Sequence, residues 1–451
     1  MTKDYGHGDL SWFKHARFGM FIHYGLYSMP ARHEWIKSRE KIGDEKYDVY
    51  FNLFDPDLFE PQVWAKAAKD AGMKYMVITS KHHEGFCLWD SKYTDYKITN
   101  TPFGRDMLRE VVDAFRAEGI RIGFYYSLLD WHHPDFPIDC FHPLRDLPKE
   151  EVDALNAKRD IRKYQDYMID QITELLTEFG KIDIIWFDFS YPYGCFPKDG
   201  RPGGKGHDDW DSERIVKCVR SLQPDIIIDN RLDLPGSGDI ITPEQYTPRK
   251  NAAKTYSSPD ENISAWAPDE NISAWEGCQT FSGSWGYYRD ETTWKSAEQC
   301  IKMLIDHVSR DGNLLMNVGP TSRGYLDHRA MERLGDYADW MRCHERAIRG
   351  CGQAPDEFPE PENCRYTYNP ETNRLYLHIY SWPFRHIHVQ GLAGKVKYMQ
   401  LLHDGSEILF SEVATNVNQN PIPGDNEYIT INLPVIKPEK AVVPVIEIIL
   451  K

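Results

Sequence analysis

The sequence predicts an α/β fold: an imperfect (β/α)8 barrel of the TIM type followed by a small antiparallel β-sandwich. Three observations carry this. Eight short apolar runs fall within the first 320 or so residues, amphipathic segments of helical period separate several of them, and near residue 355 the texture changes to alternating strands. Alternation of strands and helices implies a parallel sheet, and eight such strands suggest that the sheet closes on itself.

The eight runs are FGMFIHYG (18–25), YMVITSKHH (75–83), RIGFYYSLLDW (121–131), DIIWFDF (183–189), DIIIDNR (225–231), DIITPEQ (239–245), WEGCQTF (275–281) and NLLMNVG (313–319). Residues 61–72 start on Pro61 and stop at Gly72. In 105–119, Met107, Leu108, Val111, Val112 and Phe115 share one face before Gly119. In 161–180, Ile161, Tyr164, Met168, Ile172, Leu175, Leu176 and Phe179 do the same before Gly180. These are helix start and stop signals with a 3.6-residue period. The 225–285 region is the exception, with strands but no clear helices between them. The octapeptide PDENISAW occurs at 259–266 and again at 268–275. Two copies do not make a solenoid, and a duplicated loop segment is the simpler reading. The sharper one is a loop overhanging the site before the seventh strand. APDEFPEPENC then reads as a linker, and RLYLHIY and YITINL alternate as antiparallel strands do. The expected division is a catalytic barrel over 1–350 and a β-sandwich over 351–451.

The chain has 451 residues, enough for one large domain and a small one. A net charge of −16, with no Lys/Arg-rich run, argues against nucleic acid as a partner. No apolar run reaches 18 residues and the N-terminus carries no apolar signal core, so the reading is no membrane span, no signal peptide and a cytoplasmic protein. Nine scattered cysteines without a CxxC pair fit free thiols in a reducing compartment. No pattern sets the oligomeric state, and a homo-oligomer is left open.

In a barrel of this type the chemistry sits at the C-terminal ends of the strands. His23 stands there on the first strand, with Glu34 and Trp35 in its loop. Lys81, His82, His83 and Glu84 end the second, and Tyr125, Tyr126 and Trp131 lie on the third. Trp186 and Asp188 end the fourth, Asn230 and Arg231 the fifth, and Glu244 the sixth, while Trp275 and Glu276 open the seventh. Period two puts Ile182, Ile184, Trp186 and Asp188 on one face. An ionised carboxylate in that apolar setting must be paired, protonated or solvated. A salt bridge to Arg231 is the plain explanation of Asp188; the convergence of so many polar strand ends favours a functional one. Adjacent histidines would face opposite ways on a regular strand, and neither HxH nor HExxH occurs, so no metal is expected. Neither GxGxxG nor a P-loop occurs, so no phosphate cofactor is expected either. Paired carboxylates among Trp, Tyr and His are the equipment of a glycosidase.

Several segments resemble the α-L-fucosidases of glycoside hydrolase family 29: WFKHARFGMFIHYGLYS, the Glu34-Trp35 pair, KHHEGFCLWDS, GIRIGFYYS, IIWFDF, TPEQ, WEGCQTFSGSWGY and NLLMNVGP, in order from about residue 11 to 320. The resemblance implies a barrel followed by a β-sandwich. It places the nucleophile on Asp188 and the acid/base on Glu244, with Glu276 as runner-up. It implies sugar contacts from His23, Glu34, Trp35, His82, His83, Tyr126, Trp186, Arg231 and Trp285. Trp186, Phe189, Tyr126 or Trp285 would form an apolar slot for the fucose methyl group. Glu84 departs from the aspartate commoner in the HHDGF motif and reads as a group supporting the site from behind. The implied activity is retaining exo-hydrolysis of terminal α-L-fucosyl units from oligosaccharides or glycoconjugates, with no cofactor. Two alternatives remain: a retaining glycosidase on a related sugar, such as a galactoside or another 6-deoxyhexoside, and a catalytically silent sugar-binding protein. The contacts near the C5 substituent would discriminate the first; the presence of Asp188 with both glutamates argues against the second.

Overall fold

The computed structural model describes residues 5–192, 204–250, 272, 274–413, 420, 428–438 and 441–451. Seven of the eight apolar runs form one parallel sheet: β1 Phe18–Ile22, β2 Tyr75–Lys81, β3 Arg121–Ser127, β4 Ile184–Asp188, β5 Ile227–Ile228, β6 Glu276–Thr280 and β7 Asn313–Val318, in the order β5-β4-β3-β2-β1-β7-β6. β1, β2, β4, β6 and β7 are buried along their whole length, as parallel strands covered on both faces must be. One apolar layer, with Phe21, Tyr125, Ile184, Trp186 and Leu315, fills the barrel; another packs the sheet against its helices. Ile182, expected on the inner face, precedes β4 and belongs to the helix-facing layer.

The run expected as a sixth strand, 239–245, is not a continuous strand but joins the two sheet edges. Ile240 bridges to Asp229 beyond β5, while Ile241 and Glu244 bridge to Trp275 and Cys278. Asp239 N donates to Ile228 O at 2.7 Å and Gln245 N to Cys278 O at 3.0 Å. Pro243 has no N–H to give, so the ladder is interrupted just before the residue that matters. Within the region read as strands without clear helices, residues 239–245 form this irregular stave. The repeat lies outside the described residues except for Ile272, Ala274 and Trp275.

The helices form where the period placed them: Pro61–Asp70, Met107–Ala117 and Ile161–Glu178. Asp106 and Asp160 cap the second and third by accepting from Arg109 N and Arg162 N. Gly119 and Gly180 follow at φ 73° and 72°, a conformation that glycine adopts without a Cβ penalty.

After helix His328–His344 the chain turns antiparallel. β8 Gly352–Gln353, β9 Cys364–Asn369, β10 Arg374–Ile379, β12 Val396–Leu401 and β15 Val445–Leu450 make a five-stranded sheet; β11 His386–Gln390, β13 Phe410–Ser411 and β14 Tyr428–Asn432 make a three-stranded one. Leu375, Leu377, Val389, Ile429, Ile431 and Ile446 share the core between them. Trp340 Nε1 donates to Val443 O at 2.9 Å, so this unit rests on the last barrel helix. The reading of the cysteines is corrected at one position: Cys140 is disulfide-bonded, while Cys87, Cys278, Cys300, Cys351 and Cys364 are buried free thiols.

Candidate active site

Asp188 is the last residue of β4. The parallel register sets it beside Ser127, and Trp186 beside Tyr125. Asp188 Oδ1 accepts from Arg231 Nη1 at 2.6 Å, and Oδ2 accepts from the Tyr125 hydroxyl at 2.7 Å. His83 Nε2 stands 3.8 Å from Oδ2. The salt bridge is therefore present, but it is not the whole explanation, because the same carboxylate lines a pocket at the barrel mouth.

Arg231 joins the two carboxylates. Its Nη2 donates to Glu244 Oε2 at 2.9 Å, its Nε to Thr242 Oγ1 at 3.1 Å, and its plane lies 4.3 Å over the Trp186 ring. Burial works against the Arg231 charge, but Asp188 and Glu244 more than reverse this and hold its pKa above the ordinary value. Two carboxylate oxygens on one planar fork lie no more than roughly 8 Å apart. The two side chains differ in access: Asp188 is 11% exposed and Glu244 39%.

The backbone reverses directly after each carboxylate. Phe189 has φ 86° and Gln245 φ 61°. Such conformations cost about 1–3 kcal/mol each and persist where the surroundings enforce them. Phe189 is enforced by packing, its ring 5.0 Å from Trp35 and 5.1 Å from His83.

Three histidines line the pocket. β2 ends at Lys81, so His82 and His83 lie in a turn where strand alternation no longer applies. Their rings are 4.0 Å apart and both face the pocket. This corrects the expectation of opposite faces. His83 Nδ1 is 2.7 Å from Ser127 Oγ, and His23 Nδ1 is 2.7 Å from Asn317 Oδ1. Burial pushes His23 down to about 3, and His82 and His83 well below the usual imidazole range. All three are neutral, and a neutral imidazole can both donate to and accept from a hydroxyl.

Trp35, Trp186, Phe189 and Trp285 supply the walls, with Phe21 between them. Trp285 lies 5.1 Å from the His23 ring, and its carbonyl accepts from Asn317 Nδ2 at 2.7 Å. Glu34 does not line the pocket. Its Oε2 accepts from Gly286 N at 2.9 Å, tying the first loop to the segment that carries Trp285. Burial raises its pKa. Glu84 also sits behind the wall, accepting from Leu26 N at 3.0 Å and from the Tyr47 hydroxyl.

Two further expected site residues, besides Glu34, lie outside the pocket. Tyr126 faces away: its hydroxyl donates to Gln171 Oε1 on the helix at 2.8 Å, and its ring lies under Lys81. Alternation along β3 gives the pocket position to Tyr125 instead. Glu276 lies at the start of β6, paired with Asn313 at the start of β7, and takes the Tyr75 hydroxyl at 2.5 Å. It is inside the barrel, away from the mouth, and burial pushes its pKa up to about 7. Phe21 and Cys278, which line the pocket, and Asn317, which holds His23 and Trp285 from behind, carry no signal as site residues in the sequence.

Among the described residues, no three His, Cys, Asp or Glu side chains are grouped to hold a metal ion. Among the same residues, no helix is long and apolar enough to cross a membrane.

With this geometry in place, the comparisons with known proteins are decisive about family. The α-L-fucosidase family model matches residues 7–346. The chain belongs to the α-L-fucosidase family of glycoside hydrolases. It is similar to the α-L-fucosidase isoenzyme 1 structure from Paenibacillus thiaminolyticus, at 42% identity and a TM-score of 0.85, over 98% of each chain. It is also similar to an α-L-fucosidase from Bacteroides thetaiotaomicron solved as a trapped covalent intermediate with 2-fluoro-fucosyl fluoride, at 25% identity and a TM-score of 0.78, over all of both chains. Human plasma α-L-fucosidase is 28% identical over 401 residues, covering 83% of this chain and 76% of the relative.

Proposed function

We propose that this fucosidase-family chain is a retaining exo-α-L-fucosidase acting on fucosylated oligosaccharides or glycoconjugates, with Asp188 as nucleophile and Glu244 as acid/base. The observation that carries the reading is the single Arg231 guanidinium spanning the two carboxylates, the deeper one also held by Tyr125. Asp188 attacks C1 of the terminal fucosyl unit and forms a glycosyl ester, while protonated Glu244 gives its proton to the departing oxygen. Glu244 then takes a proton from water, which attacks C1 and releases Asp188. In the reactive complex one carboxylate charge faces Arg231 throughout, on Asp188 before attack and on Glu244 after it. The greater exposure of Glu244 suits the group that meets both leaving group and water. Glu276 is a poor rival because it does not reach the pocket.

The neutral histidines His23, His82 and His83 suit ring hydroxyls, and Phe21, Trp186, Phe189 and Trp285 suit the apolar sugar face and its methyl group. Residues 1–350 carry the chemistry, and 351–451 brace the barrel. The test is hydrolysis of an aryl α-L-fucoside by the wild type and Asp188→Ala, with and without azide. Loss of turnover with partial rescue as β-fucosyl azide supports the nucleophile. Full activity of Asp188→Ala refutes it. In the same assay Glu244→Ala should lose far more activity than Glu276→Gln.

A further inference from the structure

Beside the pocket lies a second, open cleft lined by Trp35, Ser38, Arg39, Phe141, Arg145 and Phe189. Trp35 and Phe189 line both spaces, so the partition is one ring thick, with the two rings 5.0 Å apart. Phe141 extends this aromatic wall, 5.7 Å from Trp35 and 5.0 Å from Phe189.

The charge here is unlike that of the rest of the chain, which carries −16 overall. Three neighbouring basic groups are taken by a carboxylate: Arg32 by Glu40 at 2.8 Å, Lys37 by Asp44 at 2.9 Å, and Lys41 by Asp146. Those acids are thereby engaged as well. Among the described residues, Arg39 and Arg145 have no carboxylate within ion-pair distance. Arg145 Nη1 donates to Ser38 O at 2.8 Å and to His142 O at 3.0 Å, which fixes the guanidinium without neutralising it. Arg39 Nη1 lies 3.3 Å from His33 Nε2, and burial together with the Arg39 charge pushes His33 down to about 4, so this neighbour is neutral. Two guanidinium groups without an ion-paired carboxylate, Arg39 feeling only the more distant Glu34 charge, thus line one aromatic-walled cleft, and each planar group suits a carboxylate or a sulfate.

We propose that this cleft binds an acidic group, a carboxylate or a sulfate ester, on the glycan from which the fucose is removed. The proposal rests on the fucosidase reading. If a terminal fucosyl unit fills the first pocket, whatever passes Trp35 and Phe189 belongs to the remainder of the same glycan. Arg39 and Arg145 would then set which glycans are preferred, without touching the reacting atoms.

The experiment compares kcat/KM for matched substrates: a neutral fucosylated trisaccharide, the same trisaccharide bearing a sialic acid, and the same bearing a sulfate. Wild type and the Arg39→Gln/Arg145→Gln double variant are measured at low and high ionic strength, with an aryl α-L-fucoside alongside. The wild type should favour at least one acidic member by about five- to tenfold at low salt, and the preference should fade at high salt. Preference for the sialylated member alone identifies a carboxylate site, for the sulfated member alone a sulfate site, and for both a site that reads charge. The double variant should bring the ratio close to one. Arg39→Glu, at an exposed position, should invert it unaided, so the test survives if the double variant does not fold. A flat ratio in the wild type, or an unchanged ratio in the variants, overturns the proposal. A flat ratio with good turnover of the aryl fucoside overturns the cleft alone. No turnover of any fucoside by the wild type overturns the fucosidase reading and the cleft with it.

Discussion

Tyr125 and Tyr126 are adjacent, both buried, and each donates one hydroxyl hydrogen bond, yet they should respond to the same substitution in opposite ways. Tyr125→Phe removes the donor 2.7 Å from Asp188 Oδ2 and leaves the ring stacked on Trp186, 5.6 Å away at 21°. Tyr125 is 1% exposed, so water has no easy route to replace the hydroxyl. A hydrogen bond to a charged acceptor contributes about 1.5–3 kcal/mol, which is roughly a ten- to 150-fold change in rate. We expect kcat/KM on an aryl α-L-fucoside to fall within that range, with the larger share in kcat because the wall of the pocket is retained. Tyr126→Phe removes a neutral bond to Gln171 on the outer face. That should lower unfolding stability by about 1 kcal/mol and leave kcat/KM within about twofold. Steady-state kinetics and denaturant unfolding of both variants decide the matter. If Tyr126→Phe is the catalytically damaged one, or if Tyr125→Phe turns over like the wild type, the assignment of β3 faces and the role of the hydroxyl are both wrong.

Three further outcomes follow from the same geometry. Arg231→Lys replaces a fork that spans two carboxylates with a point charge that cannot, and kcat/KM should fall about 100-fold or more; near-normal activity would show that the bridge is dispensable. Asn317→Ala frees both His23 Nδ1 and the Trp285 carbonyl, so KM should rise about tenfold with a smaller change in kcat; an unchanged KM would contradict its positioning role. Four buried groups should leave stability level between about pH 4.5 and 6.5, with a decline below that window and another from about 6.5 to 7. Glu84 and Glu276, pushed up to about 7 by burial, contribute stability fully present below pH 4.5 and lost as pH rises through 7, whereas His23 and His378, pushed down to about 3, contribute stability lost as pH falls from 6.5. Each group changes the slope by about 1.4 kcal/mol per pH unit. Glu84→Gln should gain stability relative to the wild type as pH rises from 5 to 7 in thermal unfolding scans, and a constant difference would count against a protonated Glu84.

Much of the site was legible because strand ends announce it. An apolar run that closes on a carboxylate, as IIWFD does, has few explanations, and Asp188, Trp186, His23, Arg231 and Glu244 all fell to that logic. Alternation alone did not say which of two adjacent tyrosines faces inward; only the pairing of Tyr125 with Trp186 fixes the phase. The two histidines escaped the same rule in the other direction, because β2 stops one residue before them. The sixth stave was visible as an apolar run, but Pro243 prevents it from becoming a strand, so its hydrogen bonds could be found only in three dimensions. Asn317 carried no local signal at all. It matters because β7 sits beside β1, which brings its amide between His23 and Trp285. Glu276 stands second to Glu244 in the sequence, and because it opens its strand instead of following one it lies at the far end of the barrel from the mouth.

The most direct test is to incubate the protein with 2-fluoro-fucosyl fluoride, digest it and locate the modified residue by mass spectrometry. The 2-fluoro group should slow breakdown of the glycosyl ester enough for it to accumulate. We expect one fluorofucosyl unit per chain, carried by Asp188, and none on Asp188→Ala. Stoichiometric labelling of another carboxylate, or full turnover of α-L-fucosides without any covalent species, would contradict the mechanism at its centre.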